Sequence, residues 1–268
     1  MDLSERRSDF SGERERHFWE LARADFLLHL LKKHLPPEQE GTLLDIGCGD
    51  GYLLHRMGET YPSRTFAAVD PALDAERIAR IEATVPGRLR AMRELPPETA
   101  GNVDAVTLFD LLEHIEDDRE FLRSLSDDAA PGTLFFITVP AGSRLYGEHD
   151  RRLRHFRRYD RSDFRGLLKE SKLEILELRS FFSALYPVRQ LELLCGRTGG
   201  DVGAGAVSPP LLNAALRTVL YMRTTGSIRP GRRALWSAIP ARRRCIPRGR
   251  RRDRRPTPRS CSDGRRRD

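Results

Sequence analysis

The stretch that most constrains this chain is Thr42–Leu54, TLLDIGCGDGYLL. A short apolar run leads into Gly47, Gly49 and Gly51, and a second apolar run follows. This is strand, turn, then helix. Alternating glycines allow positive φ and let a ligand approach the backbone closely. The helix behind them offers unpaired N–H groups. In open α/β sheets, ligands bind at such loops, outside the carboxyl ends of the strands. Two phosphate-binding loops are excluded. A dinucleotide fingerprint needs glycine at position 52, which is Tyr52, and no Gly-Lys-Ser/Thr follows for a P-loop. Asp45, just before the glycines, would repel a pyrophosphate and attract a cation.

The rest of the body repeats this grammar. Apolar spacing predicts a helix over Arg14–Leu35, closed by Pro36-Pro37. Strands are expected at Arg64–Asp70, Val103–Asp110 and Thr133–Pro140, with a shorter one at Arg88–Met92. Helices are expected at Ala75–Thr84, around Asp117–Leu125 and at Ser162–Ser171, and a further strand at Leu173–Phe182. The nearly continuous apolar run TLFFITVP suits a strand covered on both faces. Alternating strands and helices imply an α/β fold, a doubly wound, mostly parallel sheet.

Charge divides the chain. Its net +8 combines a body, Met1–Met222, of −6 with a tail, Arg223–Asp268, of +14, the latter from 17 arginines and three aspartates. The tail suggests nucleic acid or anionic lipid, but the acidic body does not. Cys48, Cys195, Cys245 and Cys261 show no CxxC or zinc-ligand spacing, so a reducing cytoplasm is the expected location. The first ten residues lack an apolar signal segment, and no run of 18 apolar residues suggests a membrane span.

Four segments in order, LLDIGCGDGYLL, AAVD, VDAVTLFDLLEHI and PGTLFFITVPA, resemble the class I S-adenosylmethionine-dependent methyltransferases. More narrowly, they resemble the ubiquinone-type branch, and GEHDRRLRHFRRYDRSDFRGLLKESKLEILELRSFF is similar to the region after its fifth strand. The resemblance covers about Arg16–Met222. It implies a Rossmann-like methyltransferase domain with S-adenosyl-L-methionine as cofactor. Gly47, Gly49 and Gly51 would line the amino-acid end of the cofactor, and Asp45 would hold its amino group. Asp70 would take the ribose hydroxyls, and Asp110 and Leu111 would flank the methionine part. Where relatives often carry an acid toward the adenine, this chain has Ala91, so Met92 is the adenine-side candidate. RHFWELAR resembles a closing segment, making Trp19 and Arg23 lid candidates. A plain strand–helix turn at the glycines and a capping role for Asp70 remain open.

Methyl transfer from a sulfonium is an in-line displacement, so alignment in a shielded site is the main task. A hydroxyl or protonated amine also needs a base. His114, His149 and His155 fall near the expected site. His149 and His155 are taken as candidate bases, and Arg158 and Tyr159 as substrate-binding residues. An Arg–Asp surface network is the alternative reading of the same segment. Asp110-x-x-Glu113-His114 matches a cluster thought to hold a divalent metal in ubiquinone O-methyltransferases. Adjacent residues cannot share one helix face, so no metal is expected. Phe181-Phe182, Leu185-Tyr186 and Leu191–Leu194 suggest an apolar entrance for a lipid-linked acceptor, and Leu211–Met222 a peripheral membrane contact. The expected function is methyl transfer to a small-molecule or lipid-linked acceptor, at oxygen. A nucleic-acid methyltransferase and a non-catalytic binding protein of this fold are the alternatives, and no oligomeric state follows.

Residues 1–222 thus read as the methyltransferase domain and 223–268 as a disordered Arg-rich tail. The fold's last antiparallel strand is expected soon after Met222, and no clear apolar candidate is visible there. Shifted forward one base, the codons of Ala234-Leu235-Trp236-Ser237 permit Pro-Phe-Gly, with the glycine forced by the tryptophan codon. The tail is therefore read as a candidate frameshift product, and the sheet as lacking its last strand.

Overall fold

The computed structural model describes residues 16, 18–96, 99–181 and 236–243. The elements run α1 (Phe18–His34), β1 (Gly41–Ile46), α2 (Tyr52–Thr60), β2 (Arg64–Val69), α3 (Ala75–Thr84) and β3 (Leu89–Met92). Then follow β4 (Ala105–Phe109), α4 (Asp118–Asp128), β5 (Leu134–Pro140), α5 (Glu148–Arg152), α6 (Arg161–Glu170), β6 (Leu173–Ile175), β7 (Arg179–Phe181) and β8 (Trp236–Arg243). The strand order is β3-β2-β1-β4-β5-β8-β6, with β7 also pairing to β8. Strands β1 to β5 are parallel, and β8 is antiparallel to β5, β6 and β7. The order reverses between β1 and β4, the switch point at which ligands of such sheets bind.

Side chains alternate across the strands and so supply two cores. Leu43, Phe66 and Phe136 pack with Phe26, Leu27 and Leu31 of α1 on one face. Leu44, Val106 and Phe135 pack with Leu122 of α4 and Phe164 and Leu167 of α6 on the other. Every residue of β4 and β5 is buried, which explains their unbroken apolar text. Side-chain caps fix two helix starts: Asp74 accepts from the Arg77 N–H at 2.8 Å, and Asp117 from the Glu120 N–H at 3.0 Å. The predicted helix 14–35 is observed as α1, beginning at Phe18, and the other predicted body elements agree to within a few residues. Helix α5 lies inside what reads as a charged loop.

Two expectations are corrected. The segment Leu173–Phe182 is two strands, because residues 176–178 face only 239 and 240 of β8 and form a bulge. The sheet also does not lack its last strand, since Trp236–Arg243, WSAIPARR, fills the place between β5 and β6. Pro240 hides this strand in the sequence, because proline breaks a ladder and is found at edges or bulges. Here it falls opposite the bulge, paired with Phe136 of β5. The strand lies on the tail side of the boundary drawn at 222. The entrance and membrane-contact segments between Phe182 and Met222, with the rest of the tail, fall outside the described residues.

Candidate active site

One cavity of about 600 Å³ opens at the carboxyl ends of β1, β2 and β4. The glycine loop forms its floor. Gly47, Gly49 and Gly51 have φ of 82°, 57° and 78°, values that side chains rarely adopt. A Cβ at Gly51 would also lie 2.9 Å from Ile81 of α3, whereas a Cβ at Gly49 would point into open space within the cradle. The Gly49 N–H donates to Asp70 Oδ2 at 3.1 Å, and Asp70 Oδ1 accepts from the Ala72 N–H at 2.9 Å. Asp50 Oδ1 accepts from the Tyr52 N–H at 3.1 Å at the start of α2.

Four carboxylates, Asp45, Asp50, Asp70 and Asp110, line this wall. Asp45 is buried at the end of β1 and accepts from Thr107 Oγ1 at 2.6 Å. Burial, reinforced by the charge of Asp70, pushes its carboxyl up to about 6 against the Thr107 hydrogen bond and the Arg23 charge. Asp110 is a non-glycine residue with φ 53°. It is pinned by Thr138, whose Oγ1 donates to Asp110 Oδ1 at 2.8 Å and accepts from its N–H at 3.0 Å. Strain of this kind concentrates at functional sites. Cys48 is buried, and burial beside Asp45 and Asp70 raises its thiol far above the usual range, so it is a packing residue.

The chain at the start of α1 closes over the loop. Arg16 pairs with Asp50, lies 3.5 Å from Glu20, and stacks 3.8 Å above the Tyr52 ring. Arg23 pairs with Asp110. Of the two lid candidates, Arg23 lines the cavity, and the Trp19 side chain falls outside the described residues. Arg16, Glu20 and Asp50 were missed, because contacts between segments 34 residues apart leave no local pattern.

Leu111, His114 and Arg154 complete the lining, with Leu111 against Gly47. His114 ends a 3-10 turn, Leu112–His114, after β4. Its ring meets the edge of His155, with centroids 4.7 Å apart. Behind His155 stands Asp150, wholly buried, 3.2 Å from His155 Nδ1 and 2.6 Å from Arg158 Nε. Burial opposes the Asp150 charge, but His155, Arg158 and the Gly147 N–H outweigh it and hold the carboxyl well below the usual range. The Phe156 N–H donates to the Glu113 carbonyl at 2.7 Å, tying this segment to the end of β4.

The expected cofactor residues Asp45, Gly47, Gly49, Asp70, Asp110 and Leu111 thus line one cavity. Gly51 shapes the loop from behind. Met92 does not line the cavity, and its carbonyl accepts the Asp70 N–H at 3.1 Å. On the acceptor side, His149 and His155 stand behind the lining. The Arg158 guanidinium is turned to Asp150. The Tyr159 ring is buried against Phe164, and its hydroxyl donates to Asp118 at 2.6 Å. This part of the segment is the Arg–Asp network of the alternative reading, and it is interior rather than superficial. Asp110-x-x-Glu113-His114 is not gathered as a set, since Asp110 turns to Thr138 and Arg23. Glu113, His114 and His155 instead bring one donor atom each within 4.8 Å of one another. Adjacency does not keep Glu113 and His114 apart, because they lie on a 3-10 turn and not on one helix face.

Comparison with known proteins agrees with this geometry. Residues 15–178 match the family described as methyltransferase domain. A ubiquinone biosynthesis O-methyltransferase of Xanthomonas campestris pv. campestris (strain B100) is 31% identical over 186 residues, 62% of this chain and 76% of that protein. Its counterpart from Xanthomonas axonopodis pv. citri (strain 306) is 31% identical over 102 residues, 36% of this chain and 42% of that protein, so there the match spans under half of the relative. Among solved structures, the Burkholderia thailandensis 1,6-didemethyltoxoflavin-N1-methyltransferase with S-adenosylhomocysteine bound has a TM-score of 0.53, with 16% identity, over 85% of this chain and 81% of that one. A cyclase, SpnF, has a TM-score of 0.55 and 15% identity, over 88% and 86% of the two chains. At these identities the two structures show the fold alone. The chain belongs to the methyltransferase-domain family. It is a class I S-adenosylmethionine-dependent methyltransferase of the ubiquinone type.

No helix among the described residues is long and apolar enough to cross a membrane.

Proposed function

We propose that the chain methylates a hydroxyl oxygen of a small-molecule or lipid-linked acceptor. The observation that carries this reading is one cavity in which the glycine loop, Asp45 and Asp70 share the lining with an imidazole, His114, and a guanidinium, Arg154. The names of the Xanthomonas relatives support oxygen as the methylated atom. The carboxylate wall suits a cofactor bearing an ammonium and a sulfonium, and the open cradle at Gly49 leaves room for it. When bound, S-adenosylmethionine supplies a methyl carbon whose bond to sulfur breaks as its bond to the acceptor oxygen forms.

The chain's own residues divide the remaining tasks. Asp45 and the glycine loop hold the amino-acid end. Asp70 accepts from the ribose hydroxyls, and Met92, outside the cavity, is assigned no contact. Asp110 and Leu111 flank the methionine part. His114 lines the cavity and receives the acceptor's proton. His155 positions His114 by edge contact, and Asp150 fixes His155 through Nδ1. His149, on α5 and outside the cavity lining, is assigned no proton. This revises the expectation that His149 or His155 acts directly.

Calorimetry with S-adenosylhomocysteine, together with product mass analysis on hydroxyl acceptors, tests this. Gly49→Ala and Asp70→Ala should each weaken binding, and His114→Gln should lower kcat about a hundredfold with binding unchanged. Binding without transfer to any acceptor would leave a binding protein of this fold. Loss of activity on chelation would place a cation at Glu113, His114 and His155 in place of the base.

A further inference from the structure

Four arginines line the cavity, namely Arg16, Arg23, Arg77 and Arg154. Three of them are engaged. Arg16 pairs with Asp50 and Arg23 with Asp110. Arg77 donates to the Ala72 carbonyl at 3.1 Å and lies 3.8 Å from Asp74. Arg154 alone of the four forms no ion pair or side-chain hydrogen bond among the described residues. Its neighbours in the run 151–158 sharpen the contrast. Arg151 and Arg152 reach Glu148 at 3.6 and 3.5 Å, Arg157 reaches Asp118 at 2.7 Å, and Arg158 reaches Asp150 at 2.6 Å.

The backbone at Arg154 ends α5 in a Schellman turn, with Arg154 at the left-handed position. Arg154 has φ 61°, a conformation suited to glycine. Its N–H donates to the Arg151 carbonyl at 3.0 Å, and the next N–H, of His155, to the Asp150 carbonyl at 2.9 Å. Tyr146 donates its hydroxyl to the His155 carbonyl at 2.8 Å. Arg154 is exposed, so its guanidinium stands open to a ligand in the cavity that it lines. Arg16 and Arg23 are already paired with acids of the cavity, whereas Arg154 lines it from the segment after α5.

We propose that Arg154 recognises the acceptor, and that the acceptor carries a carboxylate or phosphate besides its reacting hydroxyl. A guanidinium takes either anion through paired hydrogen bonds. The inference rests on the methyltransferase reading above and adds the charge of the substrate.

The test uses the full chain saturated with S-adenosylhomocysteine. 3-Hydroxybenzoate, 3-hydroxyphenyl phosphate and 3-hydroxybenzamide are titrated by calorimetry. At least one acid should bind about tenfold tighter than the amide, as expected for hydrogen bonds to a charged group, and the two acids tell carboxylate from phosphate. Arg154→Gln should reduce the preference to within about twofold, Arg154→Lys should keep part of it, and S-adenosylhomocysteine affinity should be equal in all three proteins. Arg154→Gly should lose the preference and raise Tm by relieving the backbone, which a structural arginine would not do. Equal binding of acids and amide, no binding of either acid, a preference that survives Arg154→Gln, or weaker S-adenosylhomocysteine binding in that variant would each overturn the proposal. If wild-type protein fails to bind S-adenosylhomocysteine, the function proposed above falls, and the same titration on free protein still decides on Arg154.

Discussion

The two walls of the cavity are built by different means. The acid wall comes from strand ends and one glycine loop, so each carboxylate is placed by the backbone next to it. Asp45 lies at the end of β1, Asp70 and Asp110 directly follow β2 and β4, and Asp50 accepts from the Tyr52 N–H at the start of α2. The second wall is the lining from residues 114–154, and its order depends on Asp150, a carboxylate outside the cavity lining. Asp150 gathers His155 and Arg158 inward and leaves His114 and Arg154 outward. One wall is set by local geometry and the other by a buried charge.

The sharpest way to break this contrast is Asp150→Ala. It strands His155 and Arg158 without their carboxylate, and breaking a buried pair from one side costs about 3–5 kcal/mol. Chemical denaturation should show this loss. Calorimetry on the folded fraction should show S-adenosylhomocysteine affinity within about threefold of wild type, because the acid wall does not use Asp150. A parallel collapse of cofactor affinity would mean that the walls are one unit.

The next effect is on the acid wall alone. Asp45 holds its proton up to about pH 6 in the folded chain, against an ordinary 3.8. A cationic cofactor needs the ionised form, so affinity should fall about tenfold from pH 7.5 to pH 5. Asp45→Asn should flatten that profile. For stability the sign is the reverse of a paired carboxylate. Between the two values the folded chain binds more protons than the unfolded one, so the Asp45 contribution declines as pH rises through this window. A Tm series from pH 4 to 7 on wild type and Asp45→Asn checks it: the variant should lose that downward slope.

The same contrast explains what could be read from sequence. TLLDIGCGDGYLL announces a strand, turn and helix because glycine spacing and apolar runs are local, and Asp45 and Asp70 are placed by the ends of β1 and β2. Segments β4 and β5 are equally plain. The acceptor wall is not, because RRLRHFRRYD offers many basic residues and no local rule tells which faces inward. Sequence reasoning picked Arg158 and Tyr159, which Asp150 and Asp118 hold in the interior, and passed over Arg154. What sets Arg154 apart from its neighbours, its place in the cavity lining without an ion pair, exists only in three dimensions. Strand β8 was hidden for another reason, since Pro240 and the arginines around it read as tail until the bulge between β6 and β7 supplies their context.

The smallest expected effect tests whether position, and not basic charge as such, gives the second wall its role. Arg152 is two residues from Arg154, carries the same charge, and pairs at 3.5 Å with Glu148 on the exposed face of α5. Exposed pairs of this kind contribute about 0–1 kcal/mol. Arg152→Ala should therefore change unfolding free energy by about 0.5 kcal/mol or less. It should leave the preference for acids over the amide intact, where Arg154→Gln removes it. Chemical denaturation and the same titration read both quantities. If Arg152→Ala erodes the preference as far as Arg154→Gln does, the second wall acts through its summed positive field and not through one placed guanidinium.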